Sequence, residues 1–264
     1  MKELLQRVAP DGTTFLISPT LEAARFPHAF STRIGPGGST YDLSRPGSSR
    51  IGTPPESCAD ALEHFATHLN PLRPQTISTA IQVHGCEVIE AGQPLDTEAD
   101  GVISTDPACI AAIRTADCVG ILLACPKTGF VAAVHAGWRG LLADMPGTAV
   151  RALCTRTQEP PEALLAAIGP AIGVDVFEVG DEVAKAFGDA GLAGHLCDGY
   201  GPKAHLNLHS AAKNRLIDAG IPPNSIDGAP LCTYSDPRFF SYRGEGTKSG
   251  SLIAGIAPIP KQTA

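Results

Sequence analysis

A chain of 264 residues with 43% hydrophobic and 18% charged residues has the composition of an ordinary globular protein, long enough to bury a substantial core. Its formal net charge is −7 and no run of lysine or arginine interrupts it. That pattern argues against nucleic acid or an anionic membrane as the main partner, because neutralising phosphates requires a basic face. No apolar run reaches transmembrane length, and the charged opening from Lys2 to Arg7 lacks the apolar stretch of a secretory signal, so a cytoplasmic location is expected.

Residues 34–55 are rich in Gly, Ser and Pro and read as a loop, and a helix is predicted over 59–69. From Thr76 to Gly137 the pattern turns to β. Residues 77–84 alternate in part, and short apolar runs follow at 101–104, 109–113, 119–123 and 130–134. Gly, Pro or Asp punctuates each run, as expected of strands buried on both faces. Helices are predicted at 146–156, 180–187 and 209–219, with a last strand at 251–256 and a frayed, Pro-rich end. No linker composition and no repeat period appears. The expectation is a single domain over 1–264, of α/β or α+β sandwich type.

Eight cysteines without a C-x-x-C pair exclude zinc ribbons and thioredoxin-like motifs. Cys109, Cys125 and Cys154 lie among alanine and leucine and read as core. Cys118 differs. It ends Thr115-Ala116-Asp117-Cys118, just before an apolar strand. Gln82-Val83-His84-Gly85 ends an earlier strand, and the strand 131–134 runs into His135-Ala136-Gly137-Trp138-Arg139-Gly140. Histidine and cysteine at strand ends, beside glycines that permit sharp turns, can be presented to a cleft by a rigid scaffold. One thiolate and two neutral imidazoles suit zinc, and three ligands leave a fourth position open, as in catalytic sites. Spacing alone leaves a second reading open, in which each residue merely finishes its strand.

These three blocks resemble the signature of the laccase-domain family, also called multicopper polyphenol oxidase, peptidoglycan editing factor or broad-specificity purine nucleoside phosphorylase. Further blocks match in order: Phe30-Ser31-Thr32-Arg33, Ala99-Asp100-Gly101, Ile168-Gly169-Pro170, Phe177-Glu178-Val179-Gly180, Cys232-Thr233-Tyr234-Ser235-Asp236 and Phe239-Phe240-Ser241-Tyr242-Arg243. The resemblance implies zinc, with copper as the other candidate, on His84, Cys118 and His135, and a four-layer α/β/β/α sandwich with mixed sheets. It also implies phosphorolysis of adenosine, inosine, guanosine and methylthioadenosine, with adenosine deamination beside it. The implied partners are purine nucleosides and phosphate, on a monomer or small homo-oligomer.

Three other activities belong to the same comparison: amide hydrolysis in a peptidoglycan precursor, copper-dependent phenol oxidation, and a cysteine hydrolase using Cys118 and His135. Multicopper electron transfer needs several clustered ligands, and only three such residues fall in the matched blocks, which argues against the oxidase. The chain departs from the family pattern at Asp42-Leu43-Ser44, at Val174-Asp175-Val176 and at Asn207, which spares the metal ligands and leaves substrate preference open.

Other residues carry two readings each. Arg139, Arg33 and Arg243 are candidates to bind phosphate or ribose, against structural ion pairs or solvated loop positions. Asp117, with strand side chains alternating, is expected to point away from the metal and hold a neighbouring loop, and Asp100 is a candidate outer partner of the ligands. Trp138 is expected mainly to pack, with base stacking as the alternative, and Phe239, Phe240 and Tyr242 are expected to be core. His28, His64, His68, His195 and His209 lie outside the matched blocks and read as core or surface.

Overall fold

The computed structural model describes residues 2–70, 75–94, 96–228 and 230–260. The N-terminal third holds strands β1 (Leu5–Val8), β2 (Thr14–Ile17), β3 (His28–Ser31), β4 (Thr76–Ser78) and β5 (Val88–Glu90), with helices α1 (Pro19–Ala23) and α2 (Pro55–Leu69). The centre is β6 (Gly101–Ser104), β7 (Cys109–Thr115), β8 (Val119–Ala124) and β9 (Val131–Ala136), followed by α3 (Trp138–Leu142) and α4 (Met145–Thr157). The remainder is β10 (Leu165–Ile168), α5 (Asp181–Asp189), β11 (Leu196–Cys197), β12 (His205–Leu206), α6 (Leu208–Asp218), β13 (Ile226–Gly228), α7 (Tyr242–Glu245) and β14 (Leu252–Ile256).

Two six-stranded sheets form the frame, in the orders β1-β2-β3-β14-β7-β4 and β13-β10-β8-β9-β6-β5, with β11 and β12 as a separate pair. Both are mixed: β4–β7, β5–β6 and β10–β13 run parallel and the remaining pairs antiparallel. The period-two alternation of each central strand explains the layering. In β7, Ala111 and Ile113 face the second sheet, while Ile110 and Ala112 face Phe65 of α2. In β8, Leu122 and Ala124 face the first sheet, while Ile121 and Leu123 face Val150 and Leu153 of α4 and Leu216 of α6. Each central strand is covered on both sides, which is why its sequence is a nearly continuous apolar run. The result is the expected four-layer α/β/β/α sandwich. The layers are close at Gly169, where an added Cβ would stand 2.4 Å from the ring of Phe30.

The predicted helices appear with ends shifted by at most four residues; α2 ends at Leu69 as predicted and starts at Pro55, a residue suited to the first helical turn. The strand expected over 77–84 is a correction. Only Thr76–Ser78 pairs with β7. Beyond it the side chain of Gln82 replaces the backbone ladder: its Nε2 donates to Arg114 O at 2.7 Å and its Oε1 accepts from Arg114 N at 2.7 Å. The chain then leaves the sheet, and His84 takes a left-handed φ of 61°. Cys125 is buried as expected, but Cys109 and Cys154 are half-buried at element margins. Of the frayed end, residues 261–264 lie outside the described residues. Among the described residues no helix is long and apolar enough to cross a membrane.

The layer between the sheets gives a stability prediction. Leu122 is fully buried there, so Leu122→Ala should lower the unfolding free energy by about 2–5 kcal/mol. Val8→Ala, at a position 61% exposed, should change it by no more than about 0.5 kcal/mol. Urea unfolding of the two variants checks this; equal effects would contradict the assigned core.

Candidate metal centre

Strands β8 and β9 pair with Gly120 opposite His135 and Val119 opposite Ala136. That register sets Cys118, immediately before β8, beside Gly137, immediately after β9. A Cβ on Gly137 would lie 2.9 Å from Cys118 Sγ and 3.1 Å from His84 Cδ2, so the position admits only glycine without displacing both. His84 enters from the segment that has left the first sheet. Its ring stands edge-on to that of His135, with centroids 4.9 Å apart. The ligand atoms of His84, Cys118 and His135 all lie within 4.8 Å of one another and form a group able to hold a metal ion. His135 is buried, Cys118 half-buried and His84 exposed, so the group opens to solvent on the His84 side.

Asp100 organises this group. It is fully buried, and its Oδ1 accepts from His135 Nδ1 at 2.7 Å and from His84 N at 3.0 Å. Its Oδ2 accepts from Gly85 N at 2.6 Å and Val83 N at 3.3 Å. One carboxylate therefore fixes the ring of one histidine and the backbone of the other. Engaging Nδ1 of His135 leaves Nε2 as the nitrogen available to the group. The strain at His84, a non-glycine residue in the left-handed region, is held by these backbone bonds.

The charges agree with the geometry. Burial works against ionised Cys118, but the charge and hydrogen bond of His135, helped by His84, hold the thiol below its ordinary range. Burial also works against protonated His135, yet the Cys118 thiolate and the Asp100 carboxylate hold it above the ordinary imidazole range. Asp100 is opposed by burial too, and His135 with the Gly85 and His84 amides keeps it ionised. The thiolate, the form of cysteine that ligates metals, is thus already favoured.

The group lines one side of a cleft of about 940 Å³. Asp117, at a left-handed φ of 97°, also lines it, but its carboxylate is engaged elsewhere. Oδ1 accepts from Thr233 Oγ1 and Oδ2 from Arg243 N, both at 2.6 Å. Arg243 lines the cleft, donates to Glu178 O at 3.1 Å and lies over the Phe177 ring. Arg139 is exposed in the cleft and lies 4.2 Å from the ring centroid of Trp138, with no carboxylate partner among the described residues.

Arg33 is not brought to the site. It pairs with Glu245 at 2.7 Å and lies over the Phe240 ring. Phe239 and Phe240 are core, whereas Tyr242 is half exposed and lines the cleft, a correction to its expected burial. The five other histidines named above find partners away from the cleft, such as Asp11 for His64 and Ser210 for His195. Sequence reasoning missed Arg45, Arg50 and Arg114, which also line it. Arg114 stands four residues before Cys118, outside the matched block, and the other two lie in the stretch read as an ordinary loop.

Comparison with known proteins agrees with this picture. A family model described as multi-copper polyphenol oxidoreductase laccase matches residues 27–258. The chain is 32% identical over 251 residues to a purine nucleoside phosphorylase of Deinococcus radiodurans, covering 95% of each chain. It is 34% identical over 190 residues to adenosine deaminase RL5 of an unknown prokaryotic organism, covering 66% of this chain and 72% of that one. Its fold is similar to the crystal structure of the YfiH protein of Bacillus licheniformis, with a TM-score of 0.82 at 22% identity over 96% of this chain and 99% of that one. On the extent of the family match and the near full-length similarity to the Deinococcus protein, this chain belongs to the multi-copper polyphenol oxidoreductase laccase family.

Proposed function

We propose that this protein is a zinc-dependent purine nucleoside phosphorylase acting on adenosine, inosine, guanosine and methylthioadenosine, with adenosine deaminase activity. The observation that carries the reading is the His84–Cys118–His135 group at the wall of a cleft lined by arginines. The names of the relatives support the same reaction class. One thiolate and two imidazoles match zinc's preference for nitrogen and sulfur, and a three-residue set leaves a position for substrate. A single such group among the described residues does not favour the several clustered centres of a multicopper oxidase. Residues 1–264 are read as one domain, because the core between the sheets draws on strands from both halves of the chain.

When bound, zinc supplies a Lewis-acid charge that polarises a substrate atom and makes water more acidic. The protein's own residues bind and orient. In phosphorolysis a phosphate oxygen bonds to ribose C1′ while the C1′–N bond breaks and the purine leaves with its electrons. Arg139 and Arg243 are placed to hold anionic or ribose oxygens along the cleft, with planar forks suited to bidentate contact. Asp100 keeps His135 in the tautomer that turns Nε2 toward the cleft. Asp117 is a positioning residue that ties the loop bearing Thr233 and the start of α7 to the turn before Cys118.

A second reading rests on one observation: Cys118, His135 and Asp100 also stand in the order of a nucleophile, a base and its orienter. That arrangement suits a cysteine hydrolase, such as an amidase acting on a peptidoglycan precursor.

Two measurements separate these readings. With inosine, hypoxanthine and ribose-1-phosphate should form only when phosphate is supplied; equal base release as free ribose in phosphate-free buffer would contradict the phosphorylase. In a second experiment, His84→Ala should remove most of the bound metal and lower turnover by at least about a hundredfold, since two ligands hold zinc poorly. A variant fully active in a chelator, with an acyl adduct on Cys118, would instead establish the hydrolase.

A further inference from the structure

The cleft is unusual in how its charges are partnered. Its lining includes Arg45, Arg50, Arg114, Arg139 and Arg243, against one acid, Asp117, whose two oxygens are already engaged. Of the described arginines elsewhere, Arg7, Arg33, Arg151, Arg156, Arg215 and Arg238 each have a carboxylate at 3.8 Å or closer, and Arg25 alone does not. Among the described residues none of the five cleft arginines has one. In a protein of net charge −7, unpaired guanidinium groups gathered at one cleft mark a site for an anion.

Three of these arginines are held together by the loop after Tyr41. Buried Asp42 fixes its path: Oδ1 accepts from Ser44 N, Ser44 Oγ and Ser251 N, and Oδ2 from Ser49 Oγ and Thr53 Oγ1. These bonds brace the segment bearing Arg45 and Arg50 against the end of β14. Arg114 projects from β7 on the face opposite Ile113 and donates from Nε to Leu43 O at 2.8 Å and from Nη1 to Thr79 Oγ1 at 3.2 Å. Its contacts are thus all to neutral oxygens, which orient the guanidinium without neutralising it. Burial, and then the nearby Arg45, push Arg114 down to about 10, and the weaker opposing pull of Cys58 and Asp42 does not offset them. Arg50 lies over the ring of Tyr242, which also lines the cleft.

We infer that Arg45, Arg50 and Arg114, on the Asp42-braced loop and β7, form a phosphate-group subsite separate from the His84–Cys118–His135 group. Arg139 and Arg243, flagged by sequence, are left to contact the remainder of the substrate. Its occupant is inorganic phosphate or the phosphoryl group of a nucleotide. The first source rests on the phosphorylase reading above; the subsite itself does not, because it can be measured by binding alone.

The test is calorimetric titration of the metal-loaded protein with inorganic phosphate. Arg45→Gln and Arg50→Gln are preferred to changes at Arg114, which is half-buried and bonded to Leu43 and Thr79, and thermal unfolding confirms that each variant folds. Lys185→Gln, on the surface of α5 and paired with Asp189, makes the same change of charge outside the cleft. Each arginine variant should weaken phosphate binding roughly ten- to a hundredfold, the loss of one charge-assisted contact, while the lysine variant binds as the parent does. Phosphate affinity unmoved in both folded arginine variants, or weakened equally by Lys185→Gln, would overturn the subsite. Adenosine and its 5′-monophosphate then identify the source. If the monophosphate displaces phosphate and binds more tightly than adenosine, the group belongs to the substrate; if it does not compete, the occupant is free phosphate. Phosphorolysis whose phosphate requirement is indifferent to Arg45 and Arg50 would leave the proposed reaction standing and exclude the co-substrate phosphate as the occupant. Phosphate binding through these arginines without turnover of any nucleoside would leave the subsite standing and remove the reaction.

Discussion

A single buried carboxylate, Asp100, is the constraint on which the geometry of the centre depends. It accepts three backbone amides from the segment 83–85 and the ring N–H of His135. Its own carbonyl accepts from His135 N at 2.7 Å, so ring and backbone of His135 are tied to the same residue. A charge so far from water is costly unless its hydrogen-bonding capacity is filled. Here four donors fill it, and the same four bonds place two histidines. The carboxylate that stabilises the turn is therefore the one that builds the centre.

The frame around it is rigid for an ordinary reason. Strands β8 and β9 lie in the middle of the second sheet, covered by the first sheet on one face and by α4 and α6 on the other. Cys118 and His135 inherit that rigidity from their register, and Gly137 supplies the space between them. The mobile chemistry of a cleft needs only the His84 side to stay open, and His84 is the exposed member. Two of the five non-glycine residues with positive φ among the described residues, His84 and Asp117, stand here, each secured by polar contacts.

Much of this was legible in the sequence, and the limits have physical causes. Apolar runs at 109–113, 119–123 and 130–134 announced strands buried on both faces, because such strands need no polar side. His84, Cys118 and His135 were visible as chemistry beside glycines, and the structure brings them together. The end of the first of these strands was not legible. Gln82 and Asp100 capture the backbone there through side chains, and a hydrophobic period carries no trace of such bonds. Arg33 looked like an anion ligand because its motif is shared, but Glu245, distant in sequence, takes its charge. Arg45 and Arg50 were passed over for the opposite reason. Their loop is unremarkable as sequence and becomes a charged wall only when Asp42 folds it onto β14.

The most direct test of the account is X-ray absorption at the zinc edge of the purified protein, combined with elemental analysis. One zinc per chain with one sulfur at about 2.3 Å and two nitrogens at about 2.0–2.1 Å is the expected shell for His84, Cys118 and His135. Two or more intrinsic coppers per chain, or a zinc shell without sulfur, would contradict it.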